Sequence, residues 1–285
     1  MAATPRTLLS VHPHPDDEAI ACGGVLARAA AQGVRTVVVT CTGGEEGENL
    51  AGIDLGATPL AEHRRRELAA ALAELGVDAH HWLGYRDSGM AGSTSNDHPD
   101  SFHRADLEQA ATRLAAIVRA ERPDVVVSDD RTGTYGHPDH VKAHHVTVRA
   151  VALAADPQAA VPGEVWRVAK RYVHTIARSQ LLALHHQLLA AGLPSPFGAE
   201  PIASVDDVPL GVRDEEVTTR VDVRPWLALK RAAMAAHRSQ IGPDSFFLNT
   251  PRELAEGAFG TESFVLEAGV PAGADGREDD LLAGL

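Results

Sequence analysis

Residues 7–17 read TLLSVHPHPDD. The apolar run at 7–11 predicts a buried strand, since continuous apolar runs bounded by turn residues are typical of strands in parallel sheets. An imidazole and two carboxylates, His14, Asp16 and Asp17, follow at its carboxyl end. Ligands of α/β sheets bind beyond the carboxyl ends of the strands. The stretch therefore predicts the beginning of a metal site at the mouth of an α/β fold.

A second cluster of the same kind follows a second apolar run. Val125 to Ser128 predicts a strand, and Tyr135-Gly136-His137-Pro138-Asp139-His140 comes shortly after it. One His-Pro-Asp tripeptide is explained equally well by an ordinary loop. Two clusters after separate strands are not, because buried charges are costly unless they are paired or bound to metal. We therefore expect the two strand ends to meet in space.

The residue types in these clusters suit a hydrolytic zinc ion, which needs about three His, Asp or Glu ligands, an open position for water and a nearby base. His14, Asp17 and His140 fit the ligand roles. Asp16 is assigned as the general base, because its side chain leaves the backbone in a different direction from that of Asp17. Fe²⁺, Co²⁺ and Ni²⁺ are alternatives to zinc, since such ligands discriminate poorly among these ions.

Strand and helix patterns alternate along the chain, which predicts a Rossmann-like, mostly parallel sheet with helices on both faces and the metal site at the carboxyl ends of its strands. The predicted strands are 7–11, 35–41, 79–83 and 124–128, and the predicted helices are 18–32, 61–75, 105–121 and 139–155. We expect one α/β domain over residues 1–269, with a core at 6–155 and a C-terminal extension at 156–269.

The C-terminal part of the sequence is less regular. A strand followed by a helix is predicted within 165–191, and another helix at 227–240. His185 and His186, on the first of these helices, are expected to be exposed. The stretch 270–285 is rich in Gly, Ala and Asp and is predicted to be disordered.

Composition limits the classes of function. A formal charge of −13 and a pI near 5.5 argue against a nucleic acid or an acidic membrane as partner. No stretch has the apolar length of a membrane span, and residues 1–10 lack the apolar segment of a secretory signal, so we expect a cytoplasmic protein. Cys22 and Cys41 are expected to stay reduced. A nucleotide-binding Rossmann domain is disfavoured because Gly-x-Gly-x-x-Gly does not follow the first strand. Sequence does not show the oligomeric state.

The two clusters carry a family resemblance. The segment 12–18 resembles the H-(A/P)-H-P-D-D-E signature of the LmbE-like (PIG-L) zinc-dependent N-deacetylases, and 136–140 resembles their second signature, G-H-P-D-H. Within that family the segments 40–48 and 86–92, together with Tyr135, are similar to the enzymes of mycothiol metabolism. The similarity runs through most of residues 6–155 and more loosely through 217–268.

The resemblance implies the same zinc ligands and the same base, and it adds further catalytic groups. His137 would be the second catalytic group, oriented by Asp139, and in its protonated form would stabilise the oxyanion or protonate the leaving amine. Tyr135, next to the flexible Gly136, would donate a hydrogen bond to the same oxyanion. Packing within a loop is the alternative for Tyr135.

Substrate contacts are implied for a smaller set of residues. Arg64 matches an arginine that holds sugar hydroxyls, but the adjacent residues Arg64–Arg66 point in different directions on a helix, so only the resemblance selects Arg64. Asp87 resembles a polyol-binding carboxylate, with a turn residue as the alternative. The loop containing Glu45 and Glu48 is expected to face the sugar or to order the site.

These features predict a zinc-dependent hydrolase that removes an acetyl group from an N-acetylglucosaminyl conjugate, with N-acetylglucosaminyl-inositol of mycothiol biosynthesis as preferred substrate. Mycothiol-conjugate amidases commonly carry a lysine after the first motif, and its absence from 18–24 favours the deacetylase. A mycothiol S-conjugate amidase and an N-deacetylase of a secondary-metabolite amino sugar are the alternatives. A binding protein without catalysis is disfavoured, since it has no need of a free base such as Asp16.

Overall fold

The computed structural model describes residues 5–285, which form a seven-stranded sheet with helices on both faces. The strands are β1 (Thr7–His12), β2 (Arg35–Thr42), β3 (Ala79–Tyr85), β4 (Val125–Ser128), β5 (Lys170–Thr175), β6 (Thr219–Asp222) and β7 (Thr261–Ala268). The helices are α1 (Asp17–Ala31), α2 (Leu60–Leu75), α3 (Leu107–Glu121), α4 (Gly133–Gly136), α5 (Pro138–Ala155), α6 (Arg178–Ala190), α7 (Leu227–Ala236), α8 (Phe246–Asn249) and α9 (Arg252–Phe259).

The strand order explains where the two sequence clusters meet. The order is β3-β2-β1-β4-β5-β7-β6, in which β1 to β5 are parallel and β7 is antiparallel to both β5 and β6. From β1 the chain builds outward through β2 to β3, and then returns to place β4 on the other side of β1. The boundary between β1 and β4 is thus a topological switch point, where open α/β sheets bind their ligands. The predicted fold class is confirmed.

Two apolar layers cover the sheet, one on each face. Leu8, Leu26 and Met234 belong to the layer beneath α1, α2 and α7, whereas Leu9 and Leu114 belong to the layer beneath α3 and α5. Neighbouring residues of β1 therefore face different layers, and both are buried. This double burial is the physical reason why β1, β2 and β4 appear in the sequence as continuous apolar runs.

The segment 270–285 differs from the prediction of disorder. Leu281 is buried in the layer beneath α1. Glu278 lies 2.5 Å from Lys170 Nζ, and the side chains of this pair are only 1% and 2% exposed. The segment is therefore packed against the sheet, because it supplies the counter-charge of a buried lysine. The average composition of 270–285 does not indicate that Glu278 and Leu281 are packed against the rest of the chain.

His185 also differs from its predicted exposure, whereas His186 is exposed as expected. The ring of His185 is fully buried, with Nδ1 2.7 Å from Ser195 Oγ and Nε2 2.9 Å from the Glu200 carbonyl oxygen. The loop after α6 folds back over the helix, and helical periodicity alone gives no sign of that. Within residues 5–285, none of the helices combines the length and the apolar character needed to cross a bilayer.

Candidate metal and catalytic site

The first cluster lies in the short connection between β1 and α1, and the second ends at the start of α5. His14 is buried two residues beyond β1, and Asp17 is the first residue of α1. Pro138 opens α5, where the fixed φ of proline suits the first helical position. His140 follows in the first turn. Both helices thus direct their N-termini, the positive ends of their dipoles, toward the same space.

The three predicted ligands converge. Asp17 Oδ2 lies 3.5 Å from His14 Nδ1 and 3.6 Å from His140 Nε2. The donor atoms of a tetrahedral ion with ligand bonds near 2.1 Å are about 3.4 Å apart. The His137 ring lies beside these ligands, since His14, His137 and His140 offer nitrogen atoms within 4.8 Å of one another. The donor set therefore fits a divalent transition metal.

Carboxylates orient the rings of the two ligand histidines, His14 and His140. His140 Nδ1 lies 2.7 Å from Asp129 Oδ1, and His14 Nε2 lies 3.3 Å from Asp139 Oδ2 and 3.4 Å from Asp87 Oδ1. Such contacts occupy one ring nitrogen and leave the other free to bind metal, as is usual for metal-ligating histidines. The nitrogens left free are the two that face Asp17. Burial raises the pKa of Asp17, but His140 and His14 lower it more, so the carboxyl is held ionised.

Asp16 has the conformation expected of a residue held under strain. Its φ is +118°, a value that residues with a side chain rarely adopt and that costs about 1–3 kcal/mol. Asp16 Oδ2 lies 3.1 Å from Arg64 Nη2. Burial raises the pKa of Asp16 to about 6, against the opposing charge of Arg64. A carboxylate with such a pKa can accept a proton near neutral pH.

Arg64 is the arginine that faces the site. It is 3% exposed, and it donates to the Gly44 carbonyl at 2.9 Å and to the Pro15 carbonyl at 2.6 Å. A Cβ atom at Gly44 would overlap the guanidinium, so this close approach requires glycine. Arg65 instead stacks over Trp82 at the surface. The guanidinium of Arg64 is thus committed to the chain's own groups, including the predicted base.

His137 and Asp139 are arranged differently from the prediction. The backbone N–H of Asp139 donates to His137 Nδ1 at 3.1 Å, whereas the Asp139 carboxylate accepts from Ser88 and faces His14. The Asp139 side chain therefore orients the ligand His14. Only the Asp139 backbone contacts His137. Burial and the nearby His14 lower the pKa of His137 to about 4. This lower pKa favours the neutral ring, whose proton lies on Nε2 because Nδ1 accepts the Asp139 N–H, so that His137 can donate a hydrogen bond from Nε2.

Tyr135 lies at the open side of the site. Its hydroxyl is 3.3 Å from His140 Nε2, and the residue is 49% exposed. The preceding Thr134 has φ +60° and interrupts the helical geometry of α4. The tyrosine is therefore carried on a kinked turn above the ligands.

The predicted substrate-contacting carboxylates fall into two groups. Asp87 is buried, and it accepts from Gly89 N–H at 2.8 Å, which agrees with the turn residue that was the alternative. Glu45 accepts from the backbone N–H of Asp87 at 2.8 Å, so it orders the loop. Glu48, by contrast, is exposed. Of these three carboxylates, Glu48 is the one turned toward solvent.

Three buried residues of this region were missed from the sequence: Asp129, Glu18 and His237. Asp129 had a detectable signal, because it is the first charged residue after the apolar run of β4. Glu18 lies within the first motif, where its partner could not be foreseen. That partner is His237, 219 residues further along the chain, which lies 2.7 Å from Glu18 Oε1.

Comparison with known proteins agrees with this geometry. Residues 9–151 match the family described as PIG-L, GlcNAc-PI de-N-acetylase. A relative from Thermomonospora curvata is 45% identical over 100% of this chain and 99% of its own length, and one from Acidothermus cellulolyticus is 46% identical over 98% and 95%. This chain belongs to the PIG-L family. Both relatives are named 1D-myo-inositol 2-acetamido-2-deoxy-alpha-D-glucopyranoside deacetylase.

Two solved structures share the fold. The conserved protein TT1542 from Thermus thermophilus is 29% identical, with a TM-score of 0.58 over 92% of this chain and 95% of its own. The N,N'-diacetylchitobiose deacetylase from Pyrococcus horikoshii is 24% identical, with a TM-score of 0.57 over 92% of this chain and 83% of its own. PIG-L deacetylases are metal-dependent, and the present chain has a buried histidine and aspartate site that suits a metal ion. The family resemblance found in the two motifs is confirmed.

Proposed function

We propose that this chain is a zinc-dependent N-deacetylase that acts on an N-acetylglucosaminyl-inositol, as in mycothiol biosynthesis. The observation that carries the proposal is a strained carboxylate, Asp16, which pairs with Arg64 next to the convergent atoms of His14, Asp17 and His140. A site that only binds metal has no use for such a base. The names of the full-length relatives support the choice of substrate. A cytoplasmic location stays a prediction from the sequence.

The proposal gives a step to each residue around the amide. Zinc, when bound by His14, Asp17 and His140, supplies a Lewis acid that polarises the amide carbonyl and makes a water molecule more acidic. Asp16 takes the proton as this water attacks the carbonyl carbon. His137 Nε2–H and the Tyr135 hydroxyl donate hydrogen bonds to the developing oxyanion. The proton collected by Asp16 is then available to the leaving amine.

The metal assignment is tested by measuring bound zinc. His14→Ala is expected to lose zinc after dialysis, because it removes one of three ligands, whereas the unaltered chain retains about one zinc ion per chain. His186→Ala is the matched control, since His186 is exposed on α6. It is expected to retain zinc. Full zinc content in His14→Ala would remove this histidine from the ligand set.

The substrate assignment is tested by the release of free amine from three amides assayed in parallel. We expect turnover of N-acetylglucosaminyl-inositol to exceed that of free N-acetylglucosamine and of a mycothiol S-conjugate. Turnover confined to the conjugate would instead make the protein an amidase. Inactivity of the zinc-loaded chain on all three would contradict the proposal and direct attention to amino sugars of specialised metabolism.

A further inference from the structure

The peptide bond between Pro15 and Asp16 is held from both sides. Its carbonyl oxygen, on Pro15, accepts from Arg64 Nη2 at 2.6 Å. Its N–H, on Asp16, donates to Glu18 Oε2 at 3.0 Å. The orientation of this peptide determines φ of Asp16, which is +118°. The strained conformation of the proposed base therefore depends on two side chains, and not on Asp16 itself.

Glu18 is held in turn by His237. Glu18 uses Oε2 for the Asp16 N–H and Oε1 for His237 Nε2, at 2.7 Å, and both side chains of this pair are 0% exposed. His237 directly follows α7, and its carbonyl accepts from the backbone N–H of Ile241 at 2.7 Å. The histidine is thus fixed by its own turn. A buried chain of contacts runs from His237 through Glu18 to the Asp16 backbone.

The same turn, residues 237–240, contacts two other elements near the site, which are α2 and the loop after β2. The backbone N–H and Oγ of Ser239 donate to the Glu67 carboxylate at 2.7 and 2.6 Å. Glu67 lies three residues after Arg64 on α2, so it shares a helix face with that arginine. Gln240 Nε2 donates to the Glu48 carbonyl at 2.8 Å. The 237–240 turn therefore sets the relative positions of the elements that hold the peptide.

We propose that His237 is a positioning residue for the general base. Through Glu18 it keeps the Pro15–Asp16 peptide in the orientation that directs the Asp16 carboxylate into the site. Without this contact Glu18 can rotate, the peptide can turn, and Asp16 relaxes to a negative φ that carries its carboxylate away from Arg64. The inference rests on the proposed role of Asp16 as base.

The test compares His237→Leu with His237→Gln in the zinc-loaded full chain. His237→Leu fills the space but cannot bind Glu18, and we expect kcat to fall about 10²-fold, as for a base displaced by roughly 1 Å, with KM and zinc content unchanged. His237→Gln keeps an N–H donor and is expected to recover most of kcat. A crystal structure of His237→Leu is expected to show Asp16 at negative φ and separated from Arg64, which is a readout independent of activity.

A matched control separates positioning from general loss of stability. His185→Leu also removes a fully buried histidine with two hydrogen bonds, which join it to Ser195 and Glu200 on the C-terminal extension. It is expected to lower the melting temperature without changing kcat. If His237→Leu does not fold, Glu18→Met, which has a similar length but no oxygen to accept from Asp16 N–H or to contact His237, takes its place with the same expected loss of kcat.

Several results would overturn the inference. These are an unchanged φ of Asp16 in the crystal structure, a kcat equal to that of His185→Leu, or no recovery in His237→Gln. Failure of the proposed function is distinguishable from these results, because it would appear as an inactive unaltered chain. In that case the crystal structure alone still decides whether His237 fixes Asp16.

Discussion

Asp16→Asn is expected to lower kcat by about 10²–10⁴-fold, the usual contribution of a positioned general base. The amide is isosteric with the carboxylate but cannot accept the proton from water. KM and zinc content are expected to stay unchanged, because the nearest side-chain partner of Asp16 is Arg64 and not a ligand. Steady-state kinetics, combined with zinc analysis of the same samples, measures both quantities.

The pH profile gives a second measure of the same group. Since the base must be deprotonated, activity rises as pH increases through its pKa. Burial raises the pKa of Asp16 to about 6 in the metal-free chain, and the positive charge of a bound ion lowers it. The acidic limb is thus expected at or below that pH, and any remaining activity of Asp16→Asn is expected to lack it.

A control substitution tests whether the effect is specific. Asp206→Asn alters an exposed carboxylate that pairs with Arg213 at 2.9 Å, and it is expected to leave kcat unchanged. A kcat for Asp16→Asn within threefold of the unaltered chain would remove Asp16 from the mechanism.

Glu278→Gln is expected to destabilise the fold by about 3 kcal/mol, because removal of one partner leaves Lys170 charged and unpaired in the interior. The Lys170 side chain is only 2% exposed. Glu278 also accepts from the Tyr172 hydroxyl at 2.5 Å and from the Ala272 N–H at 2.7 Å. The melting temperature is expected to be roughly 6–12 °C lower, given the usual relation between stability and Tm for a chain of this size.

An exposed ion pair provides the control. Arg122 and Glu164 are paired at the surface, with side chains 50% and 82% exposed, so Glu164→Gln is expected to change stability by less than about 1 kcal/mol. Equal melting temperatures for Glu164→Gln and Glu278→Gln would contradict the claim that the buried Lys170–Glu278 pair is needed for stability.

Acid sensitivity is a further consequence of the buried pair. Burial raises the pKa of Glu278, but the bonds from Lys170 and Tyr172 lower it more, so its folded value lies below the ordinary 4.5. Stabilisation by the Glu278 carboxylate is therefore complete above the ordinary pKa of 4.5, and it is lost as pH falls through the lower pKa of the folded state. Glu278→Gln is expected to lack this part of the acid dependence.

The sequence predicted those parts of the molecule that rest on local patterns. The runs ending at Val11 and Ser128 are apolar because their strands are buried on both faces, and the groups that follow them must meet at a switch point. His14, Asp17 and His140 could be named because so few residue types bind a hydrolytic metal. For these residues, the apolar strand pattern and the metal-binding side-chain types both indicated the same place in the fold.

The rest of the site depends on contacts between distant parts of the chain. Whether Arg64 or Arg65 faced the site was settled by packing against Gly44, which helical geometry alone does not determine. The partnership of Glu18 with His237 spans 219 residues, and the sequence around His237 gives no sign of it. The lowered pKa of His137 likewise follows from burial, which becomes visible only in three dimensions.

The pairing of Lys170 with Glu278 has a consequence for how the protein is made. The two residues are 108 positions apart, and a ribosome adding about 5–20 residues per second separates their synthesis by roughly 5–20 s. During that interval β5 carries a cation without its partner, which disfavours its burial. The nascent chain is therefore expected to hold the β5 side of the sheet open to chaperones until the segment carrying Glu278 has emerged.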